Sequence, residues 1–263
     1  MRLCNQLISA VLLVLAMSLP AMAEIVTEEI AYDFEGTTHK GILAYDPAIS
    51  SLRPGILVVH EWTGRNDYAI GRAKELAGMG YVAFAADYYG DGKSTTDRKI
   101  AGEWAGAARA DLDRFQRLGQ AALEVLKSQV QVDKEKLGAI GFCFGGTASL
   151  QLAYTGADLD GIVCFHGSPV PPREGEIENV KAAILILHGA SDGNVASGDL
   201  DRCEAALEAA DVEWETIMYG HAVHAFTNPE AGNDPSKGAA YQERAAKRSW
   251  EAMRIFFEEI FAR

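Results

Sequence analysis

The sequence is short of positive charge, short of cysteine and, beyond its first two dozen residues, without a long apolar run. Lys and Arg number 24 against 37 Asp and Glu, a formal net charge of −13 in 263 residues. A chain this acidic lacks the basic footprint that a nucleic-acid backbone or an anionic membrane surface requires, so neither is an expected partner. No internal repeat, low-complexity tract or Pro/Ser-rich linker divides it. A composition of 48% hydrophobic and 23% charged residues excludes a disordered or collagen-like chain. A chain of this length buries a large core without disulfide staples.

The one long apolar stretch lies at the start. Arg2 precedes an apolar run from Leu7 to Leu19, and Ala21-Met22-Ala23 puts small residues where a signal peptidase reads them. Residues 1–23 therefore read as a secretory signal peptide, since the run is too short to span a bilayer as an anchor. The expected product is residues 24–263 as one α/β domain, exported to the periplasm or released, with no membrane attachment. Cys4 falls within the leader, which leaves Cys143, Cys164 and Cys203. Three is odd, so at least one thiol is unpaired in an oxidising compartment unless the chain dimerises through it.

Along the rest of the chain, strand and helix signals alternate. Ile25 to Tyr45, broken at Glu35-Gly36, reads as an antiparallel hairpin. Continuous apolar runs at Gly55–His60, Tyr81–Ala86, Lys136–Phe142, Gly161–Phe165 and Ala183–His188 fit strands buried on both faces, and Glu213–Tyr219 is a further strand. Helical spacing covers Tyr68–Met79, Ile100–Val130, the residues from Gly145 onward, Leu200–Ala210 and Lys237–Phe261. This order predicts a mostly parallel central sheet of about eight strands with helices on both faces. Such sheets carry their sites at the carboxyl ends of the strands, so the residues just after each apolar run are the ones to weigh.

After Lys136–Phe142 comes Gly141-Phe142-Cys143-Phe144-Gly145-Gly146, the G-x-S-x-G nucleophile elbow with Cys in place of Ser. Small residues two before and two after let a sharp strand-to-helix turn present the side chain. The following helix points its positive end at the thiol, which favours thiolate, and the Phe144 N–H is a natural oxyanion donor. A bare G-x-C-x-G could equally hold a buried structural thiol, but the strand before Cys143 and the helix after it favour the catalytic reading. Asp192, in the turn after Ala183–His188, could be a turn or capping residue. His221 and His224 both follow the last strand and compete for the role of base. The chain order nucleophile, acid, base is nevertheless that of the α/β-hydrolase fold. His60-Glu61-Trp62 follows the first buried strand, in the loop expected to supply a second oxyanion N–H, that of Trp62. His60, His166 and His188 also end strands, but without metal-type spacing, and no metal or organic cofactor is expected.

Together, His60-Glu61-Trp62, Asp87-Tyr88-Tyr89-Gly90, the Cys143 elbow, His188-Gly189-x-x-Asp192 and His224-Ala225-Phe226 resemble the dienelactone hydrolase family over nearly all of residues 25–261. The resemblance implies an α/β-hydrolase fold without a large lid and a Cys143–His224–Asp192 triad. Its H-A-F match selects His224 over His221. It also implies that Glu61 holds the Cys143 proton in the resting enzyme. The family's substrate-carboxylate arginine after the catalytic histidine is missing, because that stretch reads Thr227-Asn228-Pro229. A second family arginine belongs to the segment after Asp87–Gly90, where Arg98 and Arg109 lie. Losing one charge-assisted bond costs about 1.5–3 kcal/mol of binding, so a dienelactone is not itself implied as substrate.

The expected activity is hydrolysis of a small carboxylic ester or lactone through a thioacyl-enzyme, with Tyr88, Trp104 and Arg109 as candidate substrate contacts. Two other classes compete: an exported binding protein whose thiol is silent, and a thiol redox protein, which the lack of any C-x-x-C disfavours.

Overall fold

The hydrophobic runs become eight strands in one sheet. The computed structural model describes residues 24–263; the expected leader, residues 1–23, lies outside them. The strands are β1 (Val26–Phe34), β2 (Thr37–Tyr45), β3 (Arg53–Val59), β4 (Val82–Ala86), β5 (Val132–Phe142), β6 (Gly161–Phe165), β7 (Ala183–Gly189) and β8 (Trp214–Tyr219). They lie in the order β1-β2-β4-β3-β5-β6-β7-β8. The β1–β2 hairpin pairs antiparallel from Val26↔Tyr45 to Phe34↔Thr37, and β2 joins β4 antiparallel. Every pairing from β4 through β3, β5, β6 and β7 to β8 is parallel. The inner strands β4, β6 and β7 are buried along their whole length because both faces are covered.

Two apolar layers do the covering. On one face lie α2 (Arg98–Ala110), α3 (Leu112–Lys127), α4 (Phe144–Tyr154) and α5 (Asp199–Ala209), through residues such as Ala105, Leu118, Leu152 and Leu207. On the other lie α1 (Asp67–Gly78) and α6 (Glu243–Ile260), through Ala73, Leu76, Met253 and Phe257. Among the described residues no inserted lid interrupts this order.

Three expected boundaries shift. The helical stretch from Ile100 to Val130 is two helices, because Asp111 adopts extended backbone and its side chain accepts from the Arg114 N–H, starting α3 afresh. Strand β5 begins at Val132 rather than Lys136, since Val132 and Asp133 pair with Arg53 and Pro54 ahead of a register shift. Its charged residues Asp133 to Lys136 hide that extension from a hydrophobicity reading. The last helix begins at Glu243 rather than Lys237. Pro235–Lys237 forms one 3₁₀ turn, closed by Gly238 in left-handed conformation (φ 80°). The next residues are taken up elsewhere: His224 donates its N–H to the Gly238 carbonyl (3.2 Å), and Ala240 donates to the His224 carbonyl (3.0 Å). The segment thus clamps the loop that carries His224.

Candidate active site

The strand-to-helix turn from β5 to α4 places Cys143. Its backbone has φ 54° and ψ −112°, a conformation rarely adopted by non-glycine residues and concentrated at functional sites. The turn is tight enough to exclude side chains on both flanks. A Cβ at Gly141 would sit 1.9 Å from the Gly145 carbonyl oxygen, and one at Gly145 would sit 2.2 Å from that of Val59. Cys143 donates its N–H to the Phe165 carbonyl (3.0 Å), and its own carbonyl accepts the first helical bond, from Thr147 (3.2 Å). Cys143 as a residue is only partly buried.

Residues from three strand ends converge on that thiol. His224 Nε2 lies 2.9 Å from Cys143 Sγ, and His224 Nδ1 lies 2.8 Å from Asp192 Oδ2. Asp192 Oδ1 accepts from the Asn194 N–H at 2.9 Å, so both carboxylate oxygens are engaged. The Asp192 side chain is wholly buried, whereas His224 is 13% exposed. Burial works against charge on the His224 ring. Its hydrogen bonds to Asp192 and Cys143 outweigh that effect and push its pKa up to about 10. The arrangement favours the protonated form of the imidazole beside Cys143. His221 is exposed, with φ 63°, and takes no part in these contacts.

Glu61 is buried (5% exposed) and accepts a 2.6 Å hydrogen bond from Asn228 Nδ2. Burial raises its pKa against the lowering effects of Asn228 and of the charge on His224. Asn228 is a fixed donor, because its Oδ1 already accepts from the Glu230 N–H at 2.9 Å. Neighbouring Thr227 Oγ1 lies 2.7 Å from both the Tyr68 hydroxyl and His166 Nε2. The His166 ring stands edge-on to His224 at 5.4 Å, and burial holds it neutral. Sequence reading passed over Asn228, Tyr68 and the role of Thr227. Nothing in their local pattern distinguishes them from turn and packing residues.

The expected oxyanion donors sit on the two elements that meet at Gly145. Phe144 is the first residue of α4, so its N–H has no intrahelical acceptor. Trp62 lies in the loop after β3, its carbonyl accepting from the Tyr89 hydroxyl (2.9 Å).

The expected substrate contacts need one correction. Tyr88 is core, 2% exposed, with its ring against Phe115 and Phe144. Its neighbour Tyr89 takes the outward place, touching Trp104 (5.6 Å) and Phe144 (5.4 Å) and sensing the charges of Arg109 and Cys143. The reason is packing: the apolar layer that contains Phe115 takes up the Tyr88 ring, which leaves the partly exposed place beside Trp104 to Tyr89. Trp104 is half-buried beside Tyr89, and the Arg109 guanidinium lies 5.2 Å from the centre of the Phe144 ring. Arg98 sits 5.8 Å over the Trp62 ring. Cys143, Cys164 and Cys203 are all free thiols, the latter two buried.

The chain is similar to known proteins over most of its length. The model of the dienelactone hydrolase family matches residues 41–261. An uncharacterised Caenorhabditis elegans protein is 37% identical over 145 residues, 54% of this chain and 92% of its own. A Saccharolobus solfataricus protein named for carboxymethylenebutenolidase activity is 27% identical over 271 residues, 89% of this chain and 98% of its own. Among solved structures, the dienelactone hydrolase-like promiscuous phosphotriesterase P91, from metagenomic libraries, is 37% identical. The match covers 90% of this chain and 98% of that one, with a TM-score of 0.87.

Proposed function

We propose that this chain, which belongs to the dienelactone hydrolase family, hydrolyses small carboxylic esters or lactones through a thioacyl-enzyme on Cys143. The observation that carries the reading is the single imidazole of His224 spanning Cys143 Sγ at 2.9 Å and Asp192 Oδ2 at 2.8 Å.

The thiolate of Cys143 attacks the acyl carbon, and the carbonyl π pair moves onto oxygen. The N–H groups of Trp62 and Phe144 receive that developing charge, where fixed donors count for most. Collapse breaks the C–O bond, and His224 gives its proton to the departing alkoxide. In a lactone the alcohol stays tethered to the acyl group. His224 then takes a proton from water, the hydroxide adds to the acyl carbon, and collapse of that adduct breaks the C–S bond, so that the acid leaves with the thiolate restored. Asp192 fixes the tautomer and orientation of His224 throughout. Between turnovers His224 returns its proton to the sulfur and Glu61 holds it there, so that Cys143 rests as a neutral thiol, which suits a thiol exported by the expected leader to an oxidising place. Tyr89, Trp104 and Arg109 form the substrate rim.

The test is turnover of 4-nitrophenyl acetate and of a dienelactone by the wild type and by Cys143→Ala. Activity abolished in the variant supports the reading, and the ratio between the two substrates begins to define specificity. A wild type inert on both, with Cys143 titrating as a free thiol, would instead support a silent binding protein. Peroxide consumption without ester turnover would support redox chemistry. A second reading, phosphotriester cleavage at the same thiol, is supported by the likeness to P91. Release of nitrophenolate from diethyl 4-nitrophenyl phosphate, lost in Cys143→Ala, is its expected result.

A further inference from the structure

We propose that His60 is a positioning residue for the oxyanion site, aiming the Trp62 N–H through the peptide plane that joins Glu61 to Trp62. The proposal rests on the ester-hydrolase reading above and adds to it a residue outside the triad.

His60 follows β3 and is completely buried. Its Nε2 lies 3.2 Å from the backbone N of Tyr88, a group that can only donate, so Nε2 is an acceptor and the ring proton resides on Nδ1. Nδ1 lies 2.6 Å from the Glu61 carbonyl oxygen, to which it donates. Burial lowers the pKa of the ring to about 4, which keeps this one-donor, one-acceptor form through neutral pH.

The consequence lies in the next atom pair. The described residues contain no cis peptide bond. In a trans peptide the carbonyl and the N–H point to opposite sides of the C–N bond in one rigid plane. Fixing the Glu61 carbonyl toward His60 therefore fixes the Trp62 N–H away from it. A rotation of that plane would carry the donor with it. The Tyr89 hydroxyl holds the following carbonyl, that of Trp62, at 2.9 Å.

The same imidazole also addresses the second donor. Its ring stacks on that of Phe144, with centroids 5.8 Å apart and planes within 6°. The backbone there is close, since a Cβ on Gly145 would come within 2.7 Å of the His60 carbonyl oxygen. One neutral ring thus ties the loop after β3, the end of β4 and the first turn of α4 into one unit, with an oxyanion donor on two of them.

The test exploits a reaction that needs the thiolate but no oxyanion site. Alkylation by iodoacetamide displaces iodide from carbon with the Cys143 sulfur, and no charge develops on a carbonyl oxygen. His60→Phe keeps an aromatic ring over Phe144 and removes the donor. His60→Asn restores a donor near the place of Nδ1. The expected result for His60→Phe is a fall of about 10- to 100-fold in kcat on 4-nitrophenyl acetate, less than complete loss of one donor. KM and the alkylation rate of Cys143 stay close to wild type, and His60→Asn recovers most of the kcat. If His60→Phe does not fold, His60→Gln takes its place, keeping an acceptor for the Tyr88 N–H while losing the donor to Glu61. Alkylation falling in step with kcat would overturn the proposal, showing that His60 supports the thiolate or the fold at large. Unchanged kcat in the folded variant would overturn it too. A wild type without ester turnover would overturn the hydrolase reading itself, an outcome distinct from an active wild type with an equally active His60→Phe.

Discussion

His224 and Glu61 illustrate how burial acts on two titratable groups with opposite results. For His224, burial opposes the charge, but Asp192 and Cys143 supply enough hydrogen bonding to raise the pKa to about 10. In the unfolded chain the ring titrates near 6.5. Its contribution to stability is therefore complete below that pH and disappears as pH rises toward 10. The same titration removes the proton that His224 gives to the leaving group, so kcat/KM should decline above about pH 10. An NMR titration of the ring in Cys143→Ala should give a lower midpoint than in the wild type, because one of the two raising partners is gone. His224→Ala should lower kcat/KM by about 10⁴-fold or more, whereas His221→Ala leaves it unchanged; the reverse pattern would reassign the base. Among the described residues the Glu61 carboxylate has only the Asn228 amide as a hydrogen-bond partner, and its pKa rises through burial. Its charge therefore costs stability as pH rises above the ordinary carboxylate range. Glu61→Gln retains an acceptor for Asn228 and removes that charge. It should raise Tm at pH 8 more than at pH 4, and it should speed alkylation of Cys143 by iodoacetamide if Glu61 guards the thiol proton. Equal alkylation rates in the two proteins would count against that guarding role.

Elements differ in how far their sequences announce them. The buried parallel strands were legible because they are apolar on both faces, and the elbow was legible because Gly141 and Gly145 are the only residues its packing admits. The candidate triad followed from the order of strand ends. Placement of neighbouring side chains did not follow, because it depends on contacts made across the sheet. Whether Tyr88 or Tyr89 faces the site is decided by which ring the layer containing Phe115 takes up. Asn228 meets Glu61 only because the loop after β8 folds back over the end of β3, 167 residues away in sequence. The division between α2 and α3 was legible in principle, since Asp111 is a favoured capping residue. It was masked by apolar spacing that continues on both sides. Asp111→Ala removes the bond to the Arg114 N–H and should cost about 1 kcal/mol in urea unfolding. Because α3 supports the sheet from a distance, esterase activity at temperatures well below Tm should be unaffected.

Across the whole molecule, the two ends of the sheet have separate duties. Cys143, His60 and the loops bearing Asp192 and His224 follow the carboxyl ends of strands, and strained backbone gathers there, at Cys143, His166, His221 and Ala225. Toward the amino ends, Gly138 of β5 and Gly161 of β6 leave a smooth hollow that the Phe257 ring of α6 fills. A Cβ on Gly138 would come within 2.5 Å of that ring. Phe257 is fully buried and stacks on Phe261, with ring planes within 6° and centroids 5.3 Å apart. Glycines that would weaken a strand by themselves are thus matched by a large side chain from the last helix, and α6 becomes part of the core rather than a tail. Phe257→Ala leaves a cavity that neighbouring glycines cannot fill and should destabilise the fold by about 3–5 kcal/mol. The reactive end, organised by its own hydrogen bonds, should keep its geometry in the molecules that remain folded. Denaturant unfolding should therefore show a large loss of stability, while kcat per titrated Cys143 thiol stays near the wild-type value. A parallel loss of kcat per active thiol would mean that packing at the amino ends of the strands also sets the geometry of the site.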